Sequence, residues 1–80
     1  MTNNQRAIDA AKRILSVMVD DHKVKAGNIL MHGSLISHFN SPGWRQDDIA
    51  LGLTYGCDQG WFDLPMPGQI RLTAAGFAMA

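Results

Sequence analysis

The strongest constraint on the fold is a helix-breaking pair in the middle of the chain, Pro42 and Gly43. Proline disfavours helical backbone angles in the residue before it, and glycine permits a tight turn. Apolar residues recur at helical intervals on both sides of this pair. We therefore expect one helix over about residues 29–39, a turn, and another helix over about 45–59.

The N-terminal segment carries the clearest helical pattern. Thr2 and Gln5 have the spacing of a capping box, in which two side chains satisfy backbone donors at the start of a helix. Apolar residues then recur at three- and four-residue intervals and form one stripe, consisting of Ala7, Ile8, Ala11, Ile14, Leu15, Met18 and Val19. We expect a helix within residues 1–20 that lays this stripe on the core. A polar loop follows, and Asn28 is a plausible cap for the second helix.

The hydrophobic pattern changes from helical to alternating after Gly60. Two short runs, residues 61–64 and 69–73, flank a loop of sequence Pro65-Met66-Pro67-Gly68. Two such runs around a Pro/Gly loop are typical of a β-hairpin. Thr73 has the side chain of a helix N-cap, so we expect a short closing helix within 74–80.

Length and charge narrow the class of protein. Eighty residues leave room for one domain over 1–80, which we expect to be α+β and mostly helical. Seven Lys and Arg residues balance seven Asp residues, so no net charge attracts the chain to nucleic acid or to an anionic membrane. Cys57 is the only cysteine, which excludes an internal disulfide. Because no signal peptide or membrane-spanning run is recognisable, we expect a cytoplasmic protein without a membrane partner.

Two stretches of the chain resemble the winged helix-turn-helix family. Residues 48–62, with their Gln-Gly-Trp-Phe ending, are similar to the end of the family's third helix and the start of its wing. Residues 70–76, of sequence Ile-Arg-Leu-Thr-Ala-Ala-Gly, are similar to the Arg-Leu-Thr-x-x-Gly that ends the second wing strand. The resemblance covers about residues 28–78. It implies a helix-turn-helix over 28–60, a two-stranded wing over 61–73 and a short C-terminal helix over 74–80.

The resemblance also implies a function. In this family the third helix usually enters the DNA major groove, and the wing contacts the backbone or the minor groove. It therefore implies a small, transcription-regulator-like protein that reads double-stranded DNA with helix 45–59, with a homodimer as an open possibility. The side chains it assigns to DNA are Ser41, Arg45, Gln46, Leu51, Thr54, Tyr55, Gln69 and Arg71, supplemented by Lys23 and Lys25. Arginine and glutamine can read base edges, and hydroxyl groups typically contact phosphate.

The charges of helix 45–59 leave an alternative open. A DNA-reading face is normally rich in lysine and arginine, whereas the side that projects outward here carries aspartates around Leu51 and Tyr55. An apolar centre with a charged rim is typical of protein interfaces. The alternative is a winged-helix module that binds a protein and no DNA, through Asp48, Leu51, Tyr55 and Asp58. A third interpretation packs this side beneath the wing or the first helix.

Catalytic and metal sites are not expected. His32 and His38 are six residues apart and point in different directions on a helix, and neither they nor His22 have a cysteine or glutamate partner for zinc. The glycines show no phosphate-binding spacing, so we expect no enzyme and no cofactor. Gly52 and Gly56 are unfavourable inside a helix, which predicts that another element, namely helix 29–39, approaches them closely.

Overall fold

A computed structural model defines residues 2–40 and 42–80 of the protein, with side chains from residue 5 onward. Within these ranges the chain forms four α-helices and a three-stranded antiparallel sheet. The elements, in chain order, are α1 (Thr2–Ser16), β1 (Ile29–Met31), α2 (Gly33–Ile36), α3 (Gln46–Asp58), β2 (Phe62–Asp63), β3 (Gln69–Leu72) and α4 (Ala74–Met79). A π-helical turn, Val17–Asp21, extends α1, and a 3₁₀ turn, Ser37–Phe39, extends α2. The expected α+β class is confirmed.

Most predicted elements form close to their expected positions. The helix expected over 45–59 occupies Gln46–Asp58, and β2 and β3 pair as the expected hairpin. Thr73 caps α4 as expected, because its hydroxyl oxygen accepts a hydrogen bond from the Gly76 amide at 3.0 Å. The capping box expected at the start of α1 involves the side chain of Thr2, which lies outside the described part of the chain.

The prediction of a helix over 29–39 is wrong at its start. Residues Ile29–Met31 form β1, which pairs with β3 so that Leu30 lies opposite Ile70. Side chains along β1 are exposed, buried and exposed in turn, which is the two-residue period of a strand. Asn28 does not cap a helix, since its carbonyl instead accepts a ladder hydrogen bond from β3. The strand was missed because its partner is distant along the chain, and an apolar run this short is equally compatible with a helix.

The two glycines of α3 mark where other elements approach this helix. A Cβ atom added at Gly52 would lie 2.8 Å from backbone atoms of both Ala10 and Ala11 in α1. A Cβ atom added at Gly56 would collide with the ring of Phe62 in β2. The predicted close approach therefore exists, but the prediction that helix 29–39 makes it is wrong, because α1 and β2 occupy these positions.

The core lies between α1, α3 and the sheet. The fully or almost fully buried apolar side chains are Ala10, Ala11, Ile14, Leu15, Met18, Leu35, Phe39, Ile49, Ile70 and Leu72. α1 and its π-helical turn supply five of them, and four of these five (Ala11, Ile14, Leu15 and Met18) belong to the stripe that the sequence predicts. Since α3 gives the core only one side, its other side remains exposed. Four of the predicted functional residues are exposed on this half, namely Gln46, Leu51, Thr54 and Asp58.

Candidate functional site

The start of α3 is held in place by Asp48. Its carboxylate accepts a hydrogen bond from the backbone amide of Arg45 at 2.8 Å, which satisfies a donor that the helix itself leaves unpaired. The same carboxylate accepts two hydrogen bonds from Arg6 of α1, donated by Nε and Nη2 at 2.6 Å each. The Asp48 side chain is therefore a charge-assisted link between α1 and α3.

The position of Asp48 corrects the prediction that it belongs to an outward-facing protein interface. Asp48 is 2% exposed and turns towards α1, next to the buried Ile49. The hydrogen bond from Arg6 is the main reason that the pKa of Asp48 lies below its usual value, and the same bond raises the pKa of Arg6. Because the charge of Arg6 is balanced inside the molecule, it adds little to any surface that would attract phosphate.

The exposed half of α3 forms one side of a shallow groove, and Ala7 of α1 contributes to the other. We call it the α3 groove; its lining residues are Ala7, Asp47, Ala50, Leu51, Thr54, Tyr55 and Asp58. The groove has a volume of about 530 Å³. Leu51 is 37% exposed and Thr54 is exposed as well. The interpretation that this side of the helix packs beneath its own chain is therefore wrong for these two residues.

Tyr55 differs from the other lining residues because it is half-buried. Its ring packs edge-to-face against Trp61, with the ring centroids 5.6 Å apart. Such an aromatic pair contributes about 0.5–1.5 kcal/mol beyond the area it buries. The interpretation that this side of α3 packs against its own chain thus holds in part for Tyr55. Because its ring is already packed, Tyr55 forms a fixed wall of the α3 groove and loses little side-chain entropy when a ligand binds.

Both ends of the α3 groove are acidic. Asp47 lies in the first turn of α3 and Asp58 is its last residue. Eleven residues of helix separate the two carboxylates by about 16 Å along the axis. Within the described side chains, the lining contains no lysine or arginine. Arg45 and Gln46, which were expected to read bases, are exposed at the N-terminal end of α3, next to Asp47.

The wing residues expected to contact DNA make interactions within the protein. The guanidinium of Arg71 forms an ion pair with Asp63, its neighbour across the β2–β3 ladder. This hydrogen bond is the main reason that the pKa of Asp63 is lowered. Gln69 is half-buried at the start of β3, and its backbone amide donates to the carbonyl of Met66 at 3.0 Å. The β2–β3 hairpin therefore presents balanced charge at the position where a cation was expected.

The remaining predicted cations are not gathered on one surface. Lys23 and Lys25 are exposed in the loop that follows α1 and its π-helical turn. Arg45 instead lies near the beginning of α1, because Asp48 accepts hydrogen bonds from both Arg45 and Arg6. The length of α1 separates these two groups by roughly 25 Å. Ser41, which was expected to contact phosphate, lies outside the described residues.

Sequence reasoning missed one cluster of chemically active side chains. The Nε2 atoms of His22 and His38 lie 3.3 Å apart, although sixteen residues separate them in the chain. The pair considered from the sequence was His32 and His38, but His32 lies beside the loop between β2 and β3, where its backbone amide donates to the carbonyl of Gly68. No periodic signal could have found His22 and His38, because they lie on different elements that only the tertiary structure brings together.

Cys57 has the properties of an unreactive thiol. It is half-buried on α3, and burial is the main reason that its pKa is raised. The carboxylates of Asp63 and Asp58 raise the pKa further. Since the thiolate is the nucleophilic form of cysteine, a thiol that stays protonated at neutral pH reacts slowly.

Comparison with protein-family models, with curated proteins and with solved structures finds no match to this chain. Across residues 2–40 and 42–80, no helix is both long enough and apolar enough to cross a membrane.

Proposed function

We propose that this chain is a winged helix-turn-helix domain. The order of α1, α2, α3 and the β2–β3 hairpin supports this assignment. The positions of the residues in the 70–76 motif support it as well. Leu72 is buried, Thr73 caps α4, and a Cβ atom at Gly76 would collide with the carbonyl of Trp61. Each of these motif residues thus has a packing role at the junction of the wing and the last helix.

We further propose that the domain binds a protein partner through the α3 groove. The observation that carries this proposal is the exposed half of α3, where an accessible apolar floor around Leu51 lies between Asp47 and Asp58. Apolar centres with polar rims are typical of protein interfaces. A nucleic acid backbone in the same position would bring its phosphates close to both carboxylates, and like charges at close range repel.

The partner that fits this groove is a basic, amphipathic helical segment. Its apolar side covers Leu51 and contacts the Tyr55 wall, in the manner of a helix laid in a groove. Its lysine or arginine side chains pair with Asp47 and Asp58. Because two helices share the same rise per residue, basic residues about eleven positions apart match the spacing of about 16 Å between the carboxylates.

Double-stranded DNA is the second candidate ligand. The observation in its favour is that Arg45, Gln46 and Thr54 are all exposed on or beside the outer half of α3. A DNA-binding protein often contacts about 6–10 phosphates, but Arg6 and Arg71 are already paired with carboxylates. DNA binding by this chain would therefore depend on few cations and would be weak at physiological salt.

A binding experiment with two ligands separates the candidates. The first ligand is a labelled amphipathic peptide with lysines eleven positions apart, compared with a scrambled peptide of equal charge. The second is a mixed-sequence DNA duplex at about 50 and 200 mM salt. We expect the chain to bind the patterned peptide more tightly than the scrambled one. Salt-sensitive binding of the duplex without preference between the peptides would instead support the DNA candidate, and no binding of any ligand would reject both.

Paired variants test whether the α3 groove is the peptide site. The double variant Asp47→Asn with Asp58→Asn removes both rim charges and should abolish the preference for the patterned peptide. The control variant Asp9→Asn with Asp20→Asn removes two exposed carboxylates that do not line the groove. Equal loss of binding in both double variants would mean that net charge, and not the groove, attracts the peptide.

A further inference from the structure

A surface cluster at the end of the π-helical turn that follows α1 contains His22, His38 and Asp21. The Nε2 atoms of the two histidines face each other at 3.3 Å, with the rings inclined at 78°. Nδ1 of His38 lies 3.4 Å from a carboxylate oxygen of Asp21. His22 and Asp21 are exposed and His38 is half-buried, so an ion from solution can reach the cluster.

The chain uses unusual backbone geometry to bring His22 to this position. The end of α1 changes into the π-helical turn, in which the His22 amide donates to the carbonyl of Val17, five residues earlier, at 3.0 Å. The next residue, Lys23, has a φ of 56°, the one positive φ of a non-glycine residue in the described part of the chain. π-helical turns and left-handed non-glycine residues are both enriched at functional sites.

The backbone of His38 is held in place by Arg13 of α1. It lies in the 3₁₀ turn that follows α2, and its carbonyl accepts hydrogen bonds from Nε and Nη2 of Arg13 at 3.0 and 2.7 Å. Arg13 belongs to α1, so these bonds fix the end of α2 against the helix whose end carries His22. The backbones that carry the two imidazoles are therefore positioned by hydrogen bonds of separate elements.

The separation of the two nitrogens matches that of two ligands on one metal ion. Zn²⁺ binds imidazole nitrogen at about 2.0–2.1 Å in tetrahedral geometry, which gives about 3.3–3.4 Å between neighbouring ligand atoms. The observed value is 3.3 Å. Without an ion, the same two nitrogens are within hydrogen-bond distance, one ring donating and the other accepting.

Asp21 prepares His38 to act as a ligand. A carboxylate beside Nδ1 favours the tautomer that carries its proton there, and this leaves the lone pair of Nε2 available. Carboxylates commonly hold metal-binding histidines in this way. The carboxylate thus faces the nitrogen that does not bind, while Nε2 of His38 faces His22.

We propose that His22 and His38 form a binding site for a divalent transition-metal ion of the zinc type, with Asp21 as a positioning residue. Two protein nitrogens occupy two coordination positions, and water completes the shell. Among the described residues there is no group of three or more His, Cys or Asp ligands, so this is an open surface site, weaker than a structural zinc centre. A bound ion would join the end of α1 to the end of α2 and so favour the folded state.

Titration of the untagged full chain with ZnCl₂, followed by calorimetry and by NMR of the histidine rings, tests the site. We expect one ion per chain and shifts of the His22 and His38 resonances, with the His32 ring unchanged. No binding at millimolar zinc, or shifts centred on His32, would overturn the proposal. The NMR experiment uses the native chain, so it does not depend on the folding of any variant.

Variants then assign the ligands. His22→Gln and His38→Gln should each weaken zinc binding about tenfold or more, and His32→Gln is the matched control that should leave it unchanged. Asp21→Asn should weaken binding less than loss of either ligand while preserving the ratio of one ion per chain, as expected for a residue that acts through His38. Equal affinity in all four variants would contradict the assignment.

Discussion

Asp47 and Asp48 are neighbours in the first turn of α3, yet their surroundings are opposite. Asp48 is 2% exposed and accepts hydrogen bonds from Arg45 and Arg6, whereas Asp47 is exposed and lines the α3 groove. Successive residues of a helix point about 100° apart. One carboxylate therefore meets α1 and the other meets solvent. An aspartate that meets a cation of its own chain stabilises the fold, whereas an aspartate that meets only solvent remains available for binding. The inner and outer halves of α3 differ in the same way.

Added side-chain volume should produce the largest difference in stability between variants of the inner and outer halves of α3. Gly52→Val inserts a branched side chain where a Cβ atom already lies 2.8 Å from the backbone of α1. Overpacking against rigid backbone should lower the free energy of unfolding by about 3 kcal/mol or more. On the outer half, Ala50→Val should cost less than about 1 kcal/mol, mainly through helix propensity. Urea denaturation of both variants measures the contrast, and similar losses would show that the halves are not distinct.

The next largest difference in stability should be between variants of Asp48 and Asp47. Asp48→Asn removes the charge that receives two hydrogen bonds from Arg6, and it should lower the free energy of unfolding by about 1–3 kcal/mol. Asp47→Asn should change it by no more than about 0.5 kcal/mol, since Asp47 is exposed. Thermal and urea unfolding of the two single variants provide the measurement. A larger loss from Asp47→Asn would reverse our assignment of the two roles.

Lowering the pH should remove part of the stability that Asp48 contributes. The pKa of Asp48 is lower in the folded protein than the value of about 3.9 in an unfolded chain. Its contribution to stability is therefore fully present above the unfolded pKa and is lost as the pH falls through the folded pKa. We expect the stability gap between the native chain and Asp48→Asn to narrow from about pH 5 to pH 2. A gap independent of pH would contradict this account.

A modest effect on stability should accompany the largest effect on binding. Leu51→Ser removes the partly exposed apolar floor of the α3 groove, so it should lower the free energy of unfolding by about 1–2 kcal/mol while abolishing binding of the patterned basic peptide. Leu64→Ser is the matched control, because Leu64 is 49% exposed but lies outside the α3 groove. Peptide anisotropy compares the two variants. Loss of binding in both would mean that general surface hydrophobicity drives association.

The interaction surface was only partly predictable from the sequence. Helical spacing correctly brought Leu51, Thr54 and Tyr55 to one side of α3, but it also assigned Asp48 to that side. Asp48 lies near the boundary between the two halves, and its partner Arg6 is forty-two residues away. Periodicity cannot reveal whether a boundary residue turns inward, because the decision depends on a cation brought there by another helix.

Local order along this chain was determined by the sequence itself. Pro42 and Gly43, the stripe of α1 and the cap at Thr73 act over a few residues, so neighbours in the chain are enough to specify them. Only the tertiary structure decided that Ile29–Met31 is a strand, that Asp48 is buried and that His22 meets His38. Each of these outcomes depends on a partner at least sixteen residues away, which becomes a neighbour only when α1, α2, α3 and the sheet close around one core.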